Sequence, residues 1–546
     1  MRTFHWRTKL QRGFAISLAA GVFAAQALAA DLPTGSSAEK LGAVRFPVSC
    51  NATAQAHFTR AIALLHSFYF TEVRKALTEA SNADPACAMV HWAAAMVAMG
   101  NPYTWPLTGK ALRDGATAAD AARQIGGRTE RERDYIASVD YFFGNAEKIP
   151  AQTRQLAYES AMAKLADKYP DDVEARIFYA LALSANYDPN DKTYRNQLRA
   201  AQILESVVAV QPDHPGASHY LIHCYDSPPL ASRGLASAYL YRDVAPSAPH
   251  ALHMPSHIFT RLGMWGDSIT ANTAVLNASR DVGSRLHAWD YMGYAYLQKA
   301  QDDDARRVLG EIQALRKIEG ENFGAAYALA AIPARMTLER RRWSDAAALT
   351  LPISELDFGW QQFPHAEAIL VYARAIGAAR SGRIALAKKE VARLAVLKTA
   401  MLEGKQTYWA DQADIQMEAA NAWIAHAEGH TKAAVQLMRA AADHEDGTEK
   451  SAVTPGPIIP VREQLGDLLM ATKQPRLALD EFEKAIVKEP NRFRSLYAAA
   501  RAAESVKDAS TAAKYYRALL ASADRPQGDH PEVKRATQYL ARRSTP

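Results

Sequence analysis

One spacing limits what this chain can fold into: small and apolar residues recur 34 positions apart. Leu465, Gly466 and Leu469 fall on one candidate helix, Ala478, Phe482 and Ala485 on the next, and Pro490 is placed to stop it. Ala500, Ala512 and Tyr516 repeat Gly466, Ala478 and Phe482 one period later. Each unit is a pair of amphipathic helices that cannot bury its apolar stripe alone, so neighbouring units must stack. Length points the same way, because 546 residues exceed what one core encloses. Hydrophobic residues make up 49% of the chain and Ala is abundant, whereas β-branched runs with turn signals at strand spacing are missing.

The unit from Val461 to Pro490 resembles the tetratricopeptide repeat (TPR) consensus at nearly every diagnostic position. Near the N-terminus Leu64 keeps the helix A spacing and Val73, Leu77, Ala80 and Pro85 the helix B spacing, while Gly263, Gly382 and Gly429 mark further A-to-B turns. The resemblance covers about residues 52 to 521, with degenerate stretches near 100–150 and 320–365. It implies an all-α, TPR-like α-solenoid, a right-handed superhelix of antiparallel helix pairs whose concave groove carries the function. The segments HYLIH (219–223) and HALHMPSHIFTRLG (250–263), joined to LLHSFYF (64–70) and VTPGPIIP (453–460), resemble an exported bacterial class of TPR proteins. No activity follows from that likeness.

Compartment is read from the front of the chain. Arg2, Arg7, Lys9 and Arg12 surround the start of an apolar stretch from Phe14 to Ala25, and Ala27-Leu28-Ala29 supplies the small residues that a signal peptidase reads. Residues 1–29 are therefore expected to be a signal peptide cleaved near Ala29, with a periplasmic or secreted destination. The apolar stretch is short for a bilayer, and no later run reaches about 18 apolar residues, so no membrane span is expected in the mature protein. Removing the four basic leader residues lowers the formal charge from +6 to +2, and no basic face is clustered, which argues against nucleic acid. The remaining divisions are an N-terminal extension (30–47), a TPR-like solenoid with central His-rich repeats (48–446), a loop holding Pro455, Pro457 and Pro460 (447–460), and a C-terminal TPR lobe (461–546), either separate or folded back as a cap.

Cys50 and Cys87 precede the first and second A helices, 37 residues apart, and adjacent A helices run parallel. In an oxidising compartment they are expected to form a disulfide. Cys224 is expected to stay free, its helical phase turning it into the core.

Histidine spacing carries the chemistry. Six of the sixteen histidines crowd between His214 and His257. His219 and His223 are four apart, as are His253 and His257, so each pair shares one helix face with Cβ atoms about 5–6 Å apart. The two pairs are separated by 34 residues, and a third step reaches His287 and Tyr291. With Gly263 as the turn glycine, His253 and His257 take positions 5 and 9 of helix A, which in the TPR family line the concave groove. Packed helices stand about 8–10 Å apart, so imidazoles from adjacent units can meet at one ion. The expectation is a four-His site (His219, His223, His253, His257) for Zn, Cu, Ni or Fe, with Asp226, His250, His287 or Tyr291 as extra ligand or support.

Two alternatives stand beside it. One is a scaffold whose groove histidines bind a peptide or protein partner without metal. The other is a metal-dependent enzyme of unknown substrate, in which Asp226, Tyr291 or Asp290 handles protons at a metal-bound water or dioxygen. No HExxH, GxSxG, GxGxxG, P-loop or CxxC motif is present. Pro255 either kinks the histidine helix or starts it. His66 is expected to face the groove far from the cluster, the segment 101–106 and Trp343, Trp360 and Trp409 to be packing, and His444-Glu445-Asp446 to be a solvated turn unless the proline loop after it folds across the groove.

Overall fold

The computed structural model describes residues 39–544 except 105, 106, 108, 190, 317, 319–322 and 351–357; the expected signal peptide lies outside them. Residues 40–546 form one unit. That unit is an all-α, TPR-like solenoid. Helices pack on their chain neighbours in order, from Ala52–His66 on Phe70–Ala83 to Phe493–Ser505 on Ala509–Ser522. Among the described residues the β-type pairing is one isolated bridge, Gln301 to Gln527, and no helix is long and apolar enough to cross a membrane.

One closure is used over and over between consecutive helices. Phe68, Gly263, Ala300, Arg341, Gly382, Lys405, Gly429, Lys473 and Lys507 all have φ between +50° and +86°. In each case the following N–H donates to the carbonyl five residues back, at 2.8–3.0 Å, as in Met264 to Phe259 and Gln474 to Leu469. This left-handed stop satisfies carbonyls that the helix end would leave bare. Glycine adopts it freely, whereas the six side-chain-bearing residues do so at a cost of roughly 1–2 kcal/mol each. Only the three glycine turns are therefore visible as turns in the sequence.

Cys50 and Cys87 form a disulfide with Cα atoms 5.3 Å apart, tying the start of the first helix pair to the start of the second. Cys224 is free and buried.

Contacts are not confined to neighbouring pairs, as a simple stack would have it. Ala52–His66 also meets Pro215–Tyr225, and Val282–Gln298 meets Phe493–Ser505. The second contact is fixed by polar groups. Trp265 Nε1 donates to the Asn491 carbonyl at 2.9 Å, and the buried Arg492 guanidinium reaches the Tyr294 hydroxyl (2.6 Å), Glu339 (2.7 Å) and Glu463 (3.3 Å). Gly263, with φ +65°, lies under the Pro490 carbonyl, where a Cβ would come within 2.3 Å. A buried guanidinium is tolerated because carboxylates and a hydroxyl replace its water, and here they hold the C-terminal helices against the histidine-bearing repeats.

The disulfide closes a 37-residue separation, so it should contribute about 2–4 kcal/mol. Peptide mapping without reductant should recover Cys50 joined to Cys87 and Cys224 alkylatable only after unfolding. Urea unfolding with and without dithiothreitol should show the reduced protein to be weaker by that amount.

Candidate metal centre

Three stretches of helix present the histidines. Pro215–Tyr225, with Pro215 at its first position, carries His219 and His223. The next stretch consists of two short helices, Pro249–His253 and Pro255–Arg261, each opening on a proline. Pro255 therefore starts a helix, as proline does best where no backbone donor is needed. Met254 between the two keeps helical angles (φ −52°, ψ −36°), so His253 and His257 remain on one face. Val282–Gln298 begins where the Asp281 side chain accepts from Ser284 N, and it brings His287 and Tyr291.

The structure divides these histidines differently from the four-His grouping. They form two triads, His219 with His223 and His250, and His253 with His257 and His287, and within each triad the candidate ligand nitrogens all lie within 4.8 Å of one another. His219 Nε2 is 3.2 Å from His223 Nε2 and 3.1 Å from His250 Nε2. His253 Nε2 is 3.0 Å from His257 Nε2, and the His253 and His287 ring centres are 4.2 Å apart. Each four-residue pair thus completes its set with a ring from the following helical stretch rather than with the equivalent pair.

Partners on the far side of the rings fix their tautomers. His253 Nδ1 lies 2.7 Å from Asn272 Oδ1, and the Asn272 amide is oriented by its own N–H donating to the Ser268 carbonyl at 2.8 Å. His257 Nδ1 lies 2.9 Å from Asp226 Oδ2. Both partners only accept, so both Nδ1 atoms carry the proton and both Nε2 atoms present lone pairs. Two lone pairs facing each other at 3.0 Å cannot hydrogen-bond. They repel unless a cation lies between them. His219 is held in the same way, its Nδ1 donating to the His66 carbonyl at 2.6 Å, so its Nε2 presents a lone pair towards His223 and His250.

A shared proton is a poor cation here. Burial holds His219, His223, His250, His253 and His287 well below the ordinary imidazole value, with neighbouring histidines adding to the effect. His257 is lowered by burial as well, although Asp226 pulls against it.

Asp226 lies behind the His257 ring, and the Tyr291 hydroxyl lies 3.3 Å from His257 Nε2. Asp226 accepts from His257, from Arg261 Nε at 3.0 Å and from Lys450 Nζ at 2.7 Å. Burial alone would raise its pKa, but Lys450, Arg261 and His257 outweigh it and keep the carboxylate ionised. Tyr291 lies over the His257 ring and donates to the Thr454 carbonyl at 3.2 Å. Asp290 is paired with buried Arg335, away from any proton-handling position.

Lys450 and Thr454 belong to the segment between Thr431–Gly447 and Val461–Ala471, which lies across the inner face as an irregular strap. Glu449 receives bonds from Lys192 (3.1 Å) and Tyr194 (2.9 Å), and the Gly456 carbonyl accepts from Arg335 at 2.9 Å. His444-Glu445-Asp446 is not a solvated turn: His444 bonds Asp411 and Glu418, and Glu445 accepts from Val461 N, which anchors the strap's end. A cleft lined by Tyr327, Tyr408 and Trp409 lies beside it and shares Arg261, Lys450 and Thr454 with the histidine site.

Several neighbours escaped sequence reasoning. His66 is not remote, since its carbonyl anchors His219, and Tyr103 stacks on His223 with ring centres 4.0 Å apart. His66 also belongs to a third group with Glu174 and His214. There the carboxylate bridges His66 Nε2 (2.8 Å) and His214 Nε2 (2.9 Å), and the Tyr220 hydroxyl meets His66 Nδ1 at 3.0 Å. Burial would raise Glu174, but His214 and His66 hold it down to about 2. The carboxylate answers both rings on the inner side, while the buried Nδ1 of His214 has no hydrogen-bond partner. His250 and His287 are already named from the sequence as extra ligands or support, but no spacing signals a backbone carbonyl.

No known family and no curated protein matches this chain. Solved structures that do match include "Structure of Naa15/Naa10 bound to HypK-THB" (11% identity, TM-score 0.25, covering 90% of this chain and 74% of that one) and the P58(IPK) TPR domain (13%, TM-score 0.21, covering 69% and 100%). These likenesses are too distant to bear on function, and the solenoid is evident from its own helix packing.

The lowered imidazoles set a pH dependence. The unfolded chain, with histidines near 6.5, takes up protons before the folded one does, so stability is full above about pH 6.5 and is lost as pH falls towards the lowered values. The urea midpoint of metal-free protein should drop steadily from pH 7 to pH 5. A flat profile would contradict the burial of neutral rings.

Proposed function

We propose that this chain is an exported, transition-metal-binding TPR-like solenoid. The observation that carries the reading is the His253–His257 pair, whose Nε2 lone pairs face each other at 3.0 Å while Asn272 and Asp226 hold both Nδ1 protons on the far side. An ion bonded at 2.0–2.1 Å to two such nitrogens sets them about 3 to 3.4 Å apart. Carboxylate or carbonyl partners behind ligating imidazoles are how metal sites fix ring orientation and raise ligand basicity. All-imidazole sites suit Zn, Cu, Ni or Fe and suit oxygen-seeking Mg or Ca poorly. Export is supported by the leader-like residues 1–29 and by the Cys50–Cys87 disulfide, which belongs in an oxidising space.

A peptide scaffold is the weaker reading for this face, because the chain's own strap lies where a partner peptide would. Three-imidazole sets keep a coordination position open, the condition a metalloenzyme needs.

Protein purified without chelator, or dialysed against Zn(II), Cu(II), Ni(II) or Fe(II), should carry metal in stoichiometric amount by elemental analysis. His219→Ala/His253→Ala should abolish it, and Asp226→Asn should weaken affinity about 10- to 100-fold. Wild-type protein that stays metal-free in all four dialyses would refute the reading.

A further inference from the structure

The same construction occurs twice. In each triad a buried hub ring, His219 or His253, has its Nδ1 anchored by a carbonyl oxygen, from His66 or Asn272. Each hub faces a ring four residues on, at 3.2 or 3.0 Å between nitrogens. Each is completed by a half-buried ring from the next helical stretch, His250 or His287. One ion has no use for six imidazoles in this arrangement. A three-ring face, by contrast, is a complete binding unit with a position left over.

The two units are close neighbours. His223 faces His257 with ring centres 6.1 Å apart, and His250 faces His253 at 6.2 Å. Ions held in the two triads are therefore near enough for one small ligand to touch both, as in two-metal sites.

Charge then says what that ligand is. An imidazole that binds a metal does so as a neutral ring, and the nearest carboxylate, Asp226, is engaged by His257 Nδ1, Arg261 and Lys450. Arg261 and Lys450 already answer Asp226 and Glu489 one for one. Two divalent ions would bring about four positive charges into this buried place with no protein anion free to balance them, and uncompensated buried charge is costly.

Resting on the metal-binding reading above, we infer that the six histidines hold a pair of transition-metal ions as a dinuclear centre bridged by a small exogenous anion of the hydroxide or azide class. His223, His250 and His287, the half-buried rings, form the rim through which that anion exchanges. The His66–Glu174–His214 group stands apart from this pair, because the Glu174 carboxylate already answers both of its rings.

The test uses the full mature chain, stripped of metal and titrated with Cu(II), then desalted, with bound copper counted by elemental analysis and by electron paramagnetic resonance. Two coppers per chain are expected, with a spin signal far below two because the bridged ions couple, and azide should shift the visible absorption. His250→Gln and His287→Gln should each retain one copper with full spin intensity, circular dichroism confirming the fold. One copper in the wild type, lost in either variant, would overturn the pair while leaving metal binding intact. Two coppers with full spin would show separate sites and overturn the bridge, whereas no copper would sink the metal-binding reading itself. Should either variant unfold, wild-type stoichiometry and spin count still decide.

Discussion

A helix pair in this chain has an apolar stripe that it cannot bury alone, and everything else depends on how that stripe is covered. Stacking one pair on the next places equal repeat positions side by side. A residue type repeated at one position becomes a row across adjacent helices. His219, His253 and His287 are such a row, brought together because the apolar residues on the opposite faces of their helices need one another.

Burying a row of imidazoles is unfavourable unless their polar atoms are met. The chain meets the Nδ1 side fully, with a backbone carbonyl, an amide oxygen and a carboxylate for His219, His253 and His257. Between His253 and His257 it leaves the Nε2 side as two converging lone pairs 3.0 Å apart. A structure designed only to hide these rings would do the opposite, as the neighbouring His66–Glu174–His214 bridge does, where a carboxylate answers both rings. In that bridge a carboxylate separates the two rings, whereas His253 Nε2 and His257 Nε2 face each other directly at 3.0 Å.

The strap between Thr431–Gly447 and Val461–Ala471 turns a groove into an enclosed site. Its Lys450 reaches Asp226 and its Thr454 carbonyl receives Tyr291, so it touches the supporting shell and none of the imidazole nitrogens directly. Burial pulls Lys450 down to about 8 against the attraction of Asp226. The C-terminal helices reinforce the same region through Arg492 and Asn491, so repeats far apart in the chain share one rigid surround.

The sequence alone determined what is local and periodic. The 34-residue step gave helix pairs, the four-residue histidine spacing gave a shared face, and the position of Cys50 and Cys87 before successive helices gave a staple, because helix geometry and nearest-neighbour stacking act over short distances along the chain. Tertiary structure decided which atoms meet. The split into two triads, the His66 carbonyl behind His219, Tyr103 on His223 and the strap over Asp226 join segments from 31 to more than 200 residues apart. Six left-handed turns carry side chains where glycine would have announced them. No local periodicity encodes such contacts, since they depend on side-chain direction and on where distant backbone arrives once the stripes are buried.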